Sequence, residues 1–249
     1  MKKKILIIII LLFPMLLLSQ TLNVHTNDGE IHNYTISDID SITFTSSTVC
    51  GSPVAHQGKS YNTVLIGEQC WFAENLDVGT MIVCNGGEDD QTDNGIIEKY
   101  CYDNDVTNCD TYGGLYQWNE TMQYATTEGA QGICPSGWHI PTYDELRILY
   151  FAVGGASDGE KLKAVGQGTG GGAGTNESGF SALLAGQVQW NSGGFGGIIG
   201  STYSYAHFWS STENDGGAYN LWLRGDIDNI YFDHPNMDYG YSVRCLKDE

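Results

Sequence analysis

The stretch Pro141-Thr142-Tyr143-Asp144-Glu145-Leu146-Arg147-Ile148-Leu149-Tyr150-Phe151-Ala152-Val153-Gly154-Gly155 carries both ends of a helix in its own letters. Thr142 can cap the free N–H groups of the first turn while Glu145 reaches back to the cap, the capping-box arrangement. Pro141 blocks continuation upstream, and Gly154-Gly155 stops the helix. Leu146, Leu149, Tyr150 and Val153 fall on one apolar stripe at helical spacing. Downstream the character changes. A glycine-rich loop (166–174) leads into short strand-like runs at Phe180–Leu184, Phe208–Ser211, Tyr219–Leu223, Ile230–Phe232 and Tyr241–Leu246. Upstream, Leu115–Tyr124 fits a second helix, with Leu115, Trp118 and Met122 on one face. Two main helices followed by strands, with no βαβ alternation, predict an α+β fold that is loop-rich and built on short antiparallel strands.

Further toward the N-terminus, Tyr61–Ile66 reads as a strand ended by Gly67, and Gln69–Phe72 resumes extended structure. Residues 84–95 form a polar loop. Ahead of Cys50 lies a smaller unit. Leu22–Thr26 and Ile31–Ile36 alternate around the hairpin turn Asn27-Asp28-Gly29, and Ser41–Phe44 supplies a third strand. Such a piece is marginal alone, so it is expected to pack on a neighbour. Ser46-Ser47-Thr48 closes it as a linker, giving a strand unit over residues 20–48 and a main domain over 49–249.

Residues 1–19 have the form of a cleavable signal peptide: Lys2-Lys3-Lys4, an apolar run from Ile5 to Leu18, then Ser19. That run is short of the roughly 20 residues a membrane span needs, which sets aside an uncleaved anchor. Cleavage near Ser19 leaves about 230 residues, enough for one full domain with a sizeable core. It also leaves 8 basic against 30 acidic residues, a net charge of −22. Such a surface repels phosphate backbones, so nucleic acid is excluded as a partner. The first cysteine after the cut is Cys50, so a lipid-anchored lipoprotein is not expected. The chain ends at Lys247-Asp248-Glu249, directly after the last strand-like run, so neither a sorting domain nor a transmembrane anchor is expected. The expected product is secreted or periplasmic. The 33 glycines are roughly double the usual ~7% share, but 15 Tyr and 6 Trp argue for a compact domain rather than disorder.

Seven cysteines in an exported chain are read first as disulfide partners. None forms a Cys-x-x-Cys, and zinc spacing is absent. Six paired cysteines still admit fifteen connectivities.

Seven segments occur in one order: Tyr61-Asn62-Thr63-Val64-Leu65-Ile66-Gly67, Cys70-Trp71-Phe72-Ala73-Glu74-Asn75-Leu76, Tyr112-Gly113-Gly114-Leu115-Tyr116, Cys134-Pro135-Ser136-Gly137-Trp138-His139-Ile140-Pro141-Thr142, Glu177-Ser178-Gly179-Phe180-Ser181-Ala182-Leu183, Phe208-Trp209-Ser210-Ser211-Thr212-Glu213 and Tyr241-Ser242-Val243-Arg244-Cys245. Together they resemble the Fibrobacter succinogenes major paralogous domain of secreted proteins from Bacteroidetes and Fibrobacteres, over roughly residues 50–248. The resemblance implies a C-type-lectin-like fold, distantly like the formylglycine-generating enzymes, and supplies a fold far better than a function. It also implies a long-range bridge from the start of the helical region to the final strand, Cys134–Cys245. Cys101–Cys109 around a polar turn and Cys50–Cys70 flanking the first strand are the next pairs, with Cys84 left over.

Candidate chemistry is sparse. Asp89, Asp90 and Asp93, with Asp103 and Asp105, offer the hard oxygens that calcium takes, and calcium is the one cofactor considered. Neither cluster keeps the D-x-D-x-D-G spacing with a distant Glu, which favours a solvated acidic loop. Calcium-dependent lectin chemistry lacks its motifs, since Trp209 is followed by Ser210. The nearest match to the loop motif, His234-Pro235-Asn236, lies after that strand rather than before it. An oxidase resembling the formylglycine generators would need a late cysteine pair for copper, whereas Cys245 is the only cysteine after Cys134. His139, ahead of the helix cap, is read as a packed, hydrogen-bonded side chain before a general base, and Trp209, Glu213 and Arg244 as core and internal pairing. No catalytic residue is assigned.

The expected function is a secreted, non-catalytic binding or adhesion module for an extracellular glycan or protein, the alternative being an enzyme on the formylglycine-generator scaffold. Its ligand face is expected on loops 84–110, 186–207 and 213–240. Tyr203, Tyr205, Trp222 and Tyr231 are the candidate ligand-binding residues, because rings beside polar loop groups suit saccharides or proteins.

Overall fold

The computed structural model describes residues 21–25, 31–35, 49–85, 91–189, 194–198 and 203–249. The signal peptide, the Asn27-Asp28-Gly29 turn, the strand expected at Ser41–Phe44, and Asp89 and Asp90 lie outside the described residues. The chain divides into a unit of residues 1–47 and one of residues 48–249. In the first, β1 (Thr21–His25) pairs antiparallel with β2 (Ile31–Thr35).

The second unit opens with β3 (Val54–His56) and β4 (Lys59–Tyr61), an antiparallel pair. There follow β5 (Thr63–Ile66) and β6 (Gln69–Phe72), then β7 (Thr80–Met81) parallel to β8 (Glu98–Lys99). Two short helices, α1 (Val106–Tyr112) and α2 (Trp118–Thr121), precede β9 (Trp138–His139). Next come α3 (Tyr143–Val153), α4 (Gly159–Leu162) and the antiparallel pair β10 (Ala185–Gln189) and β11 (Gly194–Ile198). The three-stranded antiparallel sheet β12 (Tyr205–Asn214), β13 (Gly217–Arg224) and β14 (Ile230–Asp233) follows. The chain closes with β15 (Leu246–Lys247), set between β6 and β9 in a four-stranded sheet of order β5-β6-β15-β9. Few helices and several small antiparallel sheets make the fold α+β. No helix among the described residues is long and apolar enough to cross a membrane.

Helix α3 forms where its sequence dictates. Thr142 Oγ1 accepts from Glu145 N, and the Glu145 carboxylate accepts from Thr142 N at 2.7 Å, so both halves of the capping box are present. Leu146, Leu149 and Val153 are buried against Phe180, Phe208, Leu221 and Leu223. A second cluster gathers Phe72, Tyr116, Trp118, Trp138 and Trp209 around Cys134 and Cys245. Three disulfides staple the unit, Cys50–Cys70, Cys101–Cys109 and Cys134–Cys245. Cys84 stands outside them, its backbone clasped by the Asn104 amide.

Several expected elements are shorter than their patterns. The helix expected over Leu115–Tyr124 is one turn, Trp118–Thr121. Leu115, Trp118 and Met122 are buried as expected, but Leu115 and Tyr116 make bridges to Tyr100 and Tyr241, and Gln123 and Tyr124 adopt left-handed φ. The strand expected at Phe180–Leu184 does not form, because the Arg244 guanidinium captures the carbonyls of Phe180 and Ser181 that a ladder would use. Of Tyr241–Leu246 only Leu246 lies in a ladder; Tyr241 and Ser242 make isolated bridges. The glycine-rich loop runs close beside the loop after β13. At Gly168, with φ 76°, a Cβ would collide with the carbonyl oxygens of Gly172 and Gly225.

Candidate functional site

Side chains alternate across a strand, so the sheet β12-β13-β14 has two faces. One carries Ala206, Phe208, Leu221, Leu223, Ile230 and Phe232 and packs in the α3 core. The other carries Tyr205, His207 and Trp209 from β12, facing Arg224, Trp222 and Asn220 of β13 in register. Tyr231 and Asp233 of β14 extend the Trp222 and Asn220 rows. Rings in one row meet as cross-strand neighbours. Tyr231 stacks on Trp222 at 4.2 Å, Trp222 lies 5.9 Å from His207, and His207 stacks on Tyr241 at 4.4 Å. Tyr241 is brought there by the chain running parallel to β12 at Ser242.

Tyr205, His207, Asn220, Trp222 and Asp233 of this second face, with Tyr241, form the floor of a cleft of about 330 Å³, whose opposite walls come from Gln187 and Gln189 of β10 and from Pro235 and Tyr239. The volume is at the small end of the roughly 300–1,000 Å³ usual for small-ligand sites. At the bottom, Asn220 Nδ2 donates to His207 Nδ1 at 3.0 Å, while Asn220 Oδ1, in a residue only 1% exposed, has no hydrogen-bond partner. Burial pushes the His207 imidazole down to about 3, so the ring is neutral at physiological pH. Burial likewise holds the Tyr241 phenol well above its ordinary value. Among the described residues the lining carries neither lysine nor arginine, and Asp233 is its one carboxylate.

The structure brings Tyr205 and Trp222 into the cleft floor, sets Tyr231 behind Trp222, and leaves Tyr203 outside. Tyr203 is 55% exposed, with the Arg224 guanidinium 5.8 Å above its ring. Gln187, Gln189, His207, Asn220 and Tyr239 are cleft residues that fall within the expected loops 186–207 and 213–240 without being singled out by sequence reasoning, and Tyr241 lies outside them. The signal for one of these residues is present: Asn220, like Trp222, alternates with Leu221 and Leu223, the mark of a strand with one functional face.

Among the described residues no group of three or more His, Cys, Asp or Glu side chains converges to hold a metal. Asp93 is exposed, Asp103 sits in a one-turn 3-10 segment, and Asp105 is the N-cap of α1, its Oδ1 accepting from Thr107 N and Oγ1. Those two hydrogen bonds hold the Asp105 carboxyl below its ordinary value.

His139 is clamped between two carboxylates, Nδ1 2.7 Å from Asp248 Oδ1 and Nε2 3.1 Å from Glu145 Oε1. Burial pulls the imidazole down, but the two carboxylates outweigh it and hold it above 6.5. A cation raised in the folded state contributes stability fully below its unfolded value, and that contribution fades as pH rises through the folded value. His139→Gln is therefore expected to cost about 1 kcal/mol in mildly acidic buffer and progressively less in alkaline buffer, measured by urea unfolding at several pH values. A cost that grows with pH would contradict this assignment. Trp209 is core, its indole donating to Tyr116 O at 2.8 Å, whereas Glu213, beyond a bulge in the ladder, is exposed rather than internally paired.

Arg244 is 1% exposed and caged by neutral acceptors: Asn75 Oδ1 at 2.7 Å, Phe72 O and Ser181 O at 3.0 Å, and Phe180 O. Its guanidinium also lies 4.5 Å from the Phe180 ring.

No curated protein matches the chain, and no solved structure does. The model of the Fibrobacter succinogenes major domain matches residues 64–247, which span the α3 core, most of the cluster around Cys134 and Cys245, Arg244 and the whole cleft, and the chain therefore belongs to the Fibrobacter succinogenes major domain family.

Proposed function

We propose that this chain is a non-catalytic binding or adhesion module of an exported bacterial protein, with the cleft over β10, β12 and β13 as its ligand face. The observation that carries the reading is Asn220, a residue of the cleft lining whose buried Oδ1 has no hydrogen-bond donor. Leaving such a group unmet costs about 1–3 kcal/mol, a cost that a docking hydrogen-bond donor removes. The ligand is an extracellular glycan or protein. Export is supported by the Lys2–Leu18 pattern and by three disulfides, which form outside the reducing cytosol. A C-type-lectin-like architecture is supported by the Cys134–Cys245 bridge from the segment before α3 to the last strand, and by β15 joining β6. The enzyme alternative is disfavoured because Cys245, needed for a late copper-binding pair, is held by Cys134.

Tyr205→Ala and Trp222→Ala are each expected to weaken capture on glycan and surface-protein arrays about tenfold or more, while Tyr203→Ala, outside the cleft, leaves it unchanged. Unchanged capture by the first two, with wild-type folding, would place the ligand face elsewhere.

A further inference from the structure

We infer that the cleft takes an uncharged, hydroxyl-bearing ligand, a neutral saccharide unit, gripped by a fixed donor–acceptor pair made by His207 and Asn220. This rests on the cleft being the ligand face proposed above and adds the chemistry it recognises.

An amide nitrogen only donates, so the 3.0 Å contact from Asn220 Nδ2 makes His207 Nδ1 the acceptor. The neutral ring then carries its proton on Nε2. The His207–Asn220 pair in the lining thus carries one unmet acceptor, Asn220 Oδ1, and one donor, His207 Nε2–H, neither of which changes with pH in the physiological range. A hydroxyl both donates and accepts, and neighbouring hydroxyls on a sugar ring serve both groups at once. The Gln187 amide on the facing wall adds a further donor and acceptor.

Charge narrows the choice. An anionic ligand finds no cation among the described lining residues, meets the Asp233 carboxylate, and approaches a chain of net charge −19. A quaternary or alkyl ammonium would seek open ring faces. Here the faces of Trp222 and His207 are occupied by neighbouring rings. Trp222 is sandwiched between Tyr231 and His207, and the far face of His207 is covered by Tyr241 at an interplanar angle of 11°. Rings and amides together line the cleft, which suits a neutral polyol.

The test is titration of the full chain with methyl glycosides of glucose, galactose, mannose and N-acetylglucosamine, and with glucuronate and choline, by calorimetry or ligand-observed NMR. At least one neutral glycoside is expected to bind saturably, and the two charged probes are not. Asn220→Asp keeps size and shape, but its carboxylate draws the ring proton to Nδ1 and strips the donor from Nε2. It is expected to lose tenfold or more in affinity, and Gln187→Ala, at the wall, a few-fold without disturbing the fold. Preference for glucuronate or choline, no binding of any neutral glycoside, or full affinity in a folded Asn220→Asp would overturn the inference. If Asn220→Asp fails to fold, undiminished affinity of Gln187→Ala is the contradicting result. Should the glycosides fail while Tyr205→Ala and Trp222→Ala still abolish capture on arrays, the saccharide chemistry falls and the ligand face stands. Should array capture also ignore those substitutions, both fall.

Discussion

Arg244→Met is expected to destabilise the main unit by about 3–5 kcal/mol, lowering its melting temperature by roughly 10 °C, with Arg244→Lys recovering only part of the loss. The reason is the cage. One planar guanidinium supplies donors in several directions and ties Phe72 O and Asn75, just after β6, to Phe180 O and Ser181 O, which lie outside any ladder. Removing it takes the donor from three buried acceptors and the part-buried Ser181 O, at about 1–3 kcal/mol for each buried one before relaxation. A lysine ammonium fits at one point and cannot span all four. Burial pulls Arg244 down to about 9, so it is charged at neutral pH, and the charge is held by dipoles and by the Phe180 and Phe208 rings. Urea unfolding followed by tryptophan fluorescence reads the effect. A change below 1 kcal/mol would mean that these segments find other donors.

Loss of the Cys134–Cys245 bridge through paired alanine substitution is the other large effect. The bridge spans 111 residues, and closing a loop of that length is worth about 4–5 kcal/mol in the chain-entropy model, against about 2.5 kcal/mol for the eight-residue separation of Cys101–Cys109. The two sulfurs are also buried in the cluster around Trp138 and Trp209, so the substitution removes packing as well. Guanidinium unfolding of the two paired-alanine variants is expected to rank Cys134/Cys245 as clearly the more damaging. The reverse order would show that local geometry around α1, rather than loop length, sets the value of these staples.

Much of this was legible in the residues, and the pattern of misses has physical causes. Helix α3 is encoded locally: Pro141, Thr142, Glu145 and Gly154 specify its ends whatever surrounds them. The sheet β12-β13-β14 is visible because its apolar residues alternate with polar or aromatic ones. Connectivity of the cysteines is not a local property and came from family resemblance alone. Non-local hydrogen bonding defeated the other readings. Tyr116 pairs with Tyr241, and Arg244 claims the carbonyls of Phe180 and Ser181, so apolar runs that looked like helix and strand became bridges and loops. Of the site, the rings were legible and the polar floor was not. Asn220 and His207 acquire meaning only when β12 and β13 pair and place one amide against one imidazole. The pair β10-β11, which builds the facing wall, hides in a glycine-rich stretch with little strand character in its letters.

The most direct measurement is a ¹H–¹⁵N correlation spectrum of the labelled chain titrated with the best-bound neutral glycoside. The account predicts shifts concentrated on Gln187, Tyr205, His207, Asn220 and Trp222, including the side-chain amide of Asn220 and the indole of Trp222. Saturable shifts confined to the 91–110 segment or to α3, with Asn220 and Trp222 unmoved, would contradict it.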